Sequence, residues 1–445
     1  LLDTARHFFP VSDILRILDG MAMAKLNVLH WHIVDSQTFP FESKKFPDLA
    51  KYGALAPSLV YSQTAIAEIV EYALDRGVRI IPEFDLPGHT ASWGFAPSLQ
   101  WATTPCWKQV ASRPVLERAI NVVSLDVTRT NVLSFVNDLL DEVMNVFPDP
   151  YLHLGGDEVI HKCWEEIPAI QAFKTTHRIS NLQEWFTKKV LEHVNGRKTV
   201  ILWEEAYESG SMDQTPASVV NVWKNISIMH EASRTHPILL SYGAYLDRTA
   251  PVDGQPTPWM YVSTWTDMYL FAYPHTLPAS VMGGEMSSWD ENADRTNIDT
   301  RLFQRGNAVA ERLWSSPDVN DTVSARARFG EFRCKQNRRL GTTIGPIFPD
   351  YCDVHLTTAQ SPPPAHAAPA SSLAWIITAS FFMIVSAVLS FCMYCKSNPQ
   401  TSILKPEDYE NEESSSLIPG ANYLALHNSS LPSLSRRFLE EGDSV

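Results

Sequence analysis

Eight short segments dominated by branched apolar residues recur along the first 352 residues, at 1–4, 27–31, 78–81, 151–154, 200–203, 219–222, 238–241 and 281–284. Their apolar residues run on without a polar alternation, as strands buried on both faces do. Amphipathic stretches at 11–25, 63–76, 132–146 and 181–194 lie between them and have helical spacing. A strand followed by a helix or long loop, repeated eight times, predicts an α/β fold, a (β/α)8 TIM barrel over residues 1–352. A doubly wound open sheet is the competing layout, but no Gly-rich dinucleotide turn follows the first strand.

A barrel of this kind carries its chemistry at the C-terminal ends of its strands. Those ends here hold Arg6 and His7, then His32 and Asp35, then Glu83, Asp85 and His89. The fourth end holds Asp157 and Glu158, the fifth Trp203 and the sixth Trp223; Tyr245 and Asp247 follow the seventh, and Glu285, Trp289 and Glu291 the eighth. Polar or aromatic residues after all eight strands describe a polar cavity with aromatic walls, which suits a carbohydrate. The sequence has thirteen tryptophans to build such walls, and flat aromatic faces are what sugar rings stack on.

The fourth strand runs into Gly155-Gly156-Asp157-Glu158. Two glycines let the backbone turn sharply, and the adjacent acids then point in different directions and can do different jobs. Taken alone the motif is a turn with two solvated carboxylates; its place at a barrel strand end makes it a catalytic pair. His30-Trp31-His32 with Asp35 has the i, i+2 spacing of a strand-borne metal site, but no third ligand set is evident. No metal and no cofactor are expected.

A net charge of −14 and the absence of a basic run argue against nucleic acid as a partner. Beyond the barrel, residues 353–372 are rich in Pro, Ala and Ser and read as a stalk. Residues 373–395 form an uncharged apolar run of 23, long enough to span a bilayer. Lys396 and Lys405 follow this run, whereas no Lys or Arg lies between Arg339 and it. The tail 396–445 is therefore expected in the cytosol, with the barrel lumenal or extracellular. That polar tail is expected to be disordered. It contains a dileucine-type pattern ending in Leu417-Ile418 and a tyrosine-based one, Tyr423 to Leu426; both resemble sorting signals read by endosomal–lysosomal adaptors. The expected location is the endosome or lysosome, or the cell surface. Cys106, Cys163, Cys334 and Cys352 fall on the oxidising side, an even number that predicts two disulfides. Asn225 and Asn320 head sequons on the same side.

The segments LDTARHFFP, KLNVLHWHIVDSQTFPFES, GVRIIPEFDLPGHTASW, YLHLGGDEV and AVAERLW together resemble the family 20 glycoside hydrolases, the β-N-acetylhexosaminidases, and most resemble the lysosomal β-hexosaminidase subunits. The resemblance covers residues 1 to about 352. It implies removal of terminal β-linked N-acetylhexosamine from a glycan with retention of configuration, the substrate's own 2-acetamido oxygen acting as nucleophile, an exception to the two-carboxylate scheme. Glu158 would be the general acid and base, Asp157 would hold the acetamido N–H, and Tyr245 would aim the acetamido oxygen. Asp35 and His89 would form a relay behind the acid. Arg6 and Glu291 would grip the 3- and 4-hydroxyls, and Trp203, Trp223 and Trp289 would be the walls. The resemblance also implies the pairs Cys106–Cys163 and Cys334–Cys352 and allows a homodimer.

The division of labour asks for a raised pKa on Glu158 and an ionised Asp157. Two departures stand out. The small α/β domain that usually precedes the barrel is missing, and residues 1–4 read as the middle of a strand, so a fragment is expected. Asp247 and Arg248 sit side by side after Tyr245. The first would bond a 6-hydroxyl and repel a 6-sulfate, and the second would attract it.

Overall fold

The computed structural model of the chain describes residues 1–106, 123–215, 217–249, 263–270, 277–349 and 351–352, all within one unit, Leu1–Ala359. Eight parallel strands are hydrogen-bonded in sequence order: β1 (Leu2–Asp3), β2 (Val28–Val34), β3 (Arg79–Phe84), β4 (Tyr151–His153), β5 (Thr199–Trp203), β6 (Val219–Val222), β7 (Ile238–Leu240) and β8 (Val281–Gly284). A parallel bridge between Leu2 and Ser288 closes the sheet on itself. Asp3 N donates to Ser288 O at 3.2 Å and Ser288 N to Leu1 O at 3.1 Å. The predicted barrel is therefore present, with every predicted strand in place.

β2 differs from the expectation by running on to Val34. Its register against β3 is in step from Val28–Arg79 to His32–Glu83. Because strand side chains alternate, the extension puts His30 and His32 on the same, inward face. The barrel interior then has two zones. Toward the N-terminal ends of the strands Ile81, Ile201 and Val219 form an apolar cluster with Val28, Tyr151 and Leu239 against it. Those residues also border a cavity of about 390 Å³.

Toward the C-terminal ends the interior is polar. Glu83 lies at the centre, receiving His32 Nδ1 at 2.6 Å and Trp203 Nε1 at 2.8 Å, with His30 Nε2 at 2.9 Å. Glu285 accepts from Asn221 Nδ2 at 2.8 Å and Ser241 Oγ at 2.6 Å and pairs with His30 Nδ1 at 3.1 Å. Burial alone would raise both carboxyls, but the surrounding imidazoles outweigh it and hold both below the usual carboxylate range. Burial likewise opposes charge on His32, yet Glu83 and Asp35 raise it to about 10. His153 is pushed down by burial, and its Nδ1 accepts from Gly155 N at 3.0 Å. Buried charges cost several kcal/mol each unless paired and bonded; here each has a partner.

Outside the sheet, helices Val11–Met23, Gln63–Leu74, Thr130–Val146 and Leu182–Val194 match the four predicted ones. Ser62 and Asn181 accept first-turn N–H groups and cap two of them. Ile14, Ile17, Leu139, Leu140 and Val143 are fully buried in the main apolar cluster with the outward residues Ile80, Val200, Leu202 and Val220. Each such side chain contributes about 1.5–3 kcal/mol. Two further helices, Ile298–Trp314 and Thr322–Leu340, follow β8. The expected stalk 353–372, span 373–395 and tail 396–445 lie outside the described residues; among those described, no helix is long and apolar enough to cross a membrane.

Candidate active site

The turn after β4 is built on glycine for two reasons. Gly155 has φ +62°, and a Cβ there would come within 1.9 Å of Asp85 Oδ1. Asp85 thus packs on bare backbone and accepts Gly156 N at 2.8 Å. Just beyond, Glu158 holds φ +46° and, across the site, His89 holds φ +52°. Left-handed backbone costs a residue with a Cβ about 1–2 kcal/mol, and such outliers collect where side chains must be aimed.

Those two residues meet. His89 Nδ1 pairs with Asp35 at 3.1 Å. Its Nε2 faces three carboxylates: Glu158 at 3.5 Å, Asp157 at 3.7 Å and Asp85 at 4.0 Å. Asp35 is completely buried and also receives Arg6 Nη2 at 2.9 Å and His32 Nε2 at 2.8 Å. Burial opposes charge on both members of the Asp35–His89 pair. It is overcome by Arg6 and His89, which hold Asp35 well below the carboxylate range, and by Asp35 and Asp157, which raise His89 well above the usual histidine range. The residues expected to form a relay are therefore brought together, and their carboxylates favour the charged form of His89.

The electrostatics of the acid pair reverse the sequence expectation. Glu158 lies below its usual value, chiefly because His89 bonds it, with Arg6 adding to the effect. Asp157 is held well above its usual value by burial and by Asp85 beside it, and burial pushes Asp85 up to about 7. The physical reason is position. Glu158 has 47% of its side chain exposed next to a cation, whereas Asp157 is nearly buried against a second carboxyl, which opposes its charge.

The residues expected to grip the sugar also converge. Arg6 Nη1 bonds Asp3 at 2.9 Å and lies 3.8 Å from Glu291 Oε1, with its guanidinium 5.2 Å from the Trp289 ring. Trp203 and Trp289 approach with ring centres 6.0 Å apart, Trp203 and Trp223 6.5 Å, and Trp223 and Tyr245 6.2 Å. Together they form one continuous aromatic wall. Tyr245 is raised well above the usual phenol range by burial and Asp247. Asp247 is itself pushed up to about 7 by burial, with Glu291 adding to it. Arg248 lies over the Tyr245 ring at 4.8 Å.

Sequence reasoning gave no role to several residues that hold this geometry. Asp3 orients Arg6; Glu205 accepts the Trp223 indole N–H at 3.0 Å and Glu204 the Trp223 backbone N–H at 2.8 Å. Asp85 and Asp157 both lay in view as strand-end acids, but their meeting did not. Among the described residues, two buried groups have their ligand atoms within 4.8 Å of one another and could hold a cation: His30, Glu83 and His153, and Asp85, His89 and Asp157. His30 and His32, considered as metal ligands with Asp35, are instead engaged by Glu83, Glu285 and Asp35.

Both expected disulfides are present, Cys106–Cys163 with Cα atoms 6.1 Å apart and Cys334–Cys352 with 5.3 Å. The first anchors the helix His161–Glu165 just after the acid pair. Asn225 and Asn320 are both exposed, and Asn225 also caps the helix that follows it.

Residues 1–317 match the family described as "Glycosyl hydrolase family 20, catalytic domain". Beta-hexosaminidase subunit beta of Mus musculus is 37% identical over 367 residues, covering 79% of this chain and 65% of that protein. The Homo sapiens subunit beta is 36% identical, covering 79% and 62%. The chain thus spans a little under two thirds of the length of these relatives. Among solved structures, the Flavobacterium johnsoniae chitobiase superposes with TM-score 0.63 at 29% identity, over 76% of this chain and 51% of that one. A mutant Streptomyces plicatus beta-hexosaminidase in complex with the product GlcNAc gives TM-score 0.61 at 25% identity, over 78% and 69%.

Proposed function

The chain belongs to glycosyl hydrolase family 20, and from that premise we propose that it is a retaining exo-β-N-acetylhexosaminidase. The observation that carries this reading is the juxtaposition of Glu158 and Asp157 around one imidazole at the mouth of an aromatic-walled barrel. Glu158 is half exposed, so it can reach the glycosidic oxygen, give it a proton, and later take one from water. Asp157, set deeper, accepts the acetamido N–H and stabilises the positive charge that grows there as the acetamido oxygen attacks the anomeric carbon. Asp157 must be ionised to do this, and Asp85 beside it, which burial pushes up to about 7, can carry a proton while it is. Tyr245 donates to the attacking oxygen. Trp203, Trp223 and Trp289 enclose the sugar and its methyl group, and Arg6 and Glu291 bind the hydroxyls of a non-reducing end. Asp247 takes the 6-hydroxyl.

The decisive experiment is hydrolysis of 4-nitrophenyl N-acetyl-β-glucosaminide. Wild-type protein should release the chromophore and Glu158→Gln should lose at least about a hundredfold in kcat. The product should be the β-anomer by NMR. A wild type that binds N-acetylglucosamine but releases nothing would make the chain a sugar-binding protein instead.

The same reading places the enzyme on a single C-terminal membrane span at 373–395 with the barrel in the lumen or outside. The apolar run, the lysines after it and the exposed Asn225 and Asn320 support this. The tail would engage sorting adaptors that direct it to endosomes, lysosomes or the cell surface, and the barrel could pair as a homodimer. Extraction of the full chain by alkaline carbonate, with no glycan on Asn225 or Asn320, would overturn the topology.

A further inference from the structure

The helix Ile298–Trp314 carries a buried arginine that has no carboxylate partner among the described residues. Arg305 is 7% exposed, and its guanidinium is spent on backbone carbonyls. Nη1 donates to Arg248 O and to Ser263 O, each at 2.9 Å, and Nη2 donates to Leu246 O. One turn earlier on the same helix, Arg301 donates to the Thr249 hydroxyl. Ser263 N in turn donates to Arg248 O at 3.2 Å.

These acceptors all belong to the segment that follows β7 and bears Tyr245 and Asp247. Its other side is knit to the continuation of β8, where Leu246 N donates to Ser287 O at 2.8 Å and Ser287 N to Ala244 O at 2.9 Å. Leu246 is fully buried, while its two neighbours, Tyr245 and Asp247, flank it in the site. The helix comes close because residue 306 is glycine; a Cβ there would meet Met286 Sδ at 2.6 Å. Burial depresses the Arg305 guanidinium to about 10, with Arg301 adding to it, so its cation persists at any physiological pH. That cation also draws on Asp247 electrostatically.

We propose that Arg305 is a positioning residue for substrate recognition: its fork of donors fixes the Leu246–Arg248 backbone so that Asp247 meets the sugar's C6 substituent while Tyr245 keeps its aim. Arginine is suited to the task because its donors are fixed in a planar fork, and without it three carbonyls lose a donor at a cost. Lysine offers a point charge that cannot reach all three. The inference rests on the glycosidase reading above and adds a residue that touches no substrate.

The test compares wild type, Arg305→Lys and Arg305→Met on 4-nitrophenyl N-acetyl-β-glucosaminide and on its 6-deoxy analogue, with thermal unfolding measured on each protein. Displacement of the loop by about 1 Å should lower kcat/KM of Arg305→Met about a hundredfold on the parent substrate. The loss on the 6-deoxy analogue should be clearly smaller, because the Asp247 contact is absent from that reaction. Arg305→Lys should lie between wild type and Arg305→Met with the same inequality between substrates, and it supplies the comparison if the methionine variant does not fold. Equal losses on the two substrates, tracking the fall in melting temperature, would overturn the proposal, as would activities within twofold of wild type on both. A wild type that hydrolyses neither substrate is a separate failure, of the enzymatic reading; the same ratio is then read from binding of N-acetylglucosamine and 6-deoxy-N-acetylglucosamine.

Discussion

His89 Nε2 stands 3.5 Å from Glu158 Oε2 while its other ring nitrogen is held by Asp35. One buried imidazole thereby joins a fully buried carboxylate of the site to a half-exposed one. Both Glu158 and His89 hold left-handed backbone to make the meeting possible.

The first prediction follows from the sign of that contact. His89 and then Arg6 lower Glu158, against burial and Asp35, which raise it. Glu158 must carry a proton to act on the leaving group, so the alkaline limb of kcat/KM lies at acidic pH in wild type. His89→Asn suits the left-handed backbone and removes the cation. Its alkaline limb should move to higher pH, with kcat reduced about ten- to a hundredfold. A pH–rate profile checks both; an unmoved limb would mean that His89 does not set Glu158.

Asp157 gives a second, through stability. Its folded pKa is raised above the unfolded value of about 3.9. Such a group contributes stability that is complete below the unfolded pKa and lost as pH rises through the folded one. Asp85, at about 7, follows the same sign. Asp157→Asn cannot ionise, so its melting temperature relative to wild type should climb steadily from pH 4 to beyond 7, while activity falls about a hundredfold or more. Calorimetry across that range, together with the chromogenic assay, is the check.

Gly155→Ala should be among the most damaging small substitutions in the barrel. The left-handed φ costs about 1–2 kcal/mol, and the methyl group would collide with Asp85 Oδ1. Denaturant titration should show a loss above about 2 kcal/mol. Adding Asp85→Ala should recover the part due to collision and leave the backbone part.

The two disulfides should separate in their effects. Cys106–Cys163 spans 57 residues and Cys334–Cys352 spans 18, so chain entropy assigns them about 4 and about 3 kcal/mol respectively. Cys163→Ser should also lower kcat/KM, since its helix follows the acid pair directly. Cys334→Ser should leave kcat/KM within about twofold while lowering the denaturation midpoint.

Strand periodicity was enough to place Asp157, Glu158, Tyr245 and Trp289 at strand ends, because each strand end is a local feature of the chain. Partners were a different matter. Whether Asp157 is charged depends on Asp85, 72 positions earlier, and that meeting is set by the register of β3 against β4 and by a missing Cβ at Gly155. The polar interior was equally hidden: nothing local marks His153 as inward-facing until its pairing opposite Glu83 is known. Arg305 had no signal in the sequence, since its acceptors are carbonyls, which every sequence has in equal measure.

The two zones of the barrel interior also separate two kinds of evolutionary freedom. On the proposed glycosidase reading, charge at the C-terminal end is committed to chemistry, and substitutions there trade against turnover. The N-terminal end, where Val219 and Leu239 face the cavity of about 390 Å³, is free of that commitment. Bulkier apolar residues at Val219 or Val28 could fill part of the space and add roughly 0.5–2 kcal/mol. A laboratory lineage could therefore accumulate a reserve of thermostability at one end of the molecule, and draw on it later to absorb costly changes of specificity at the other.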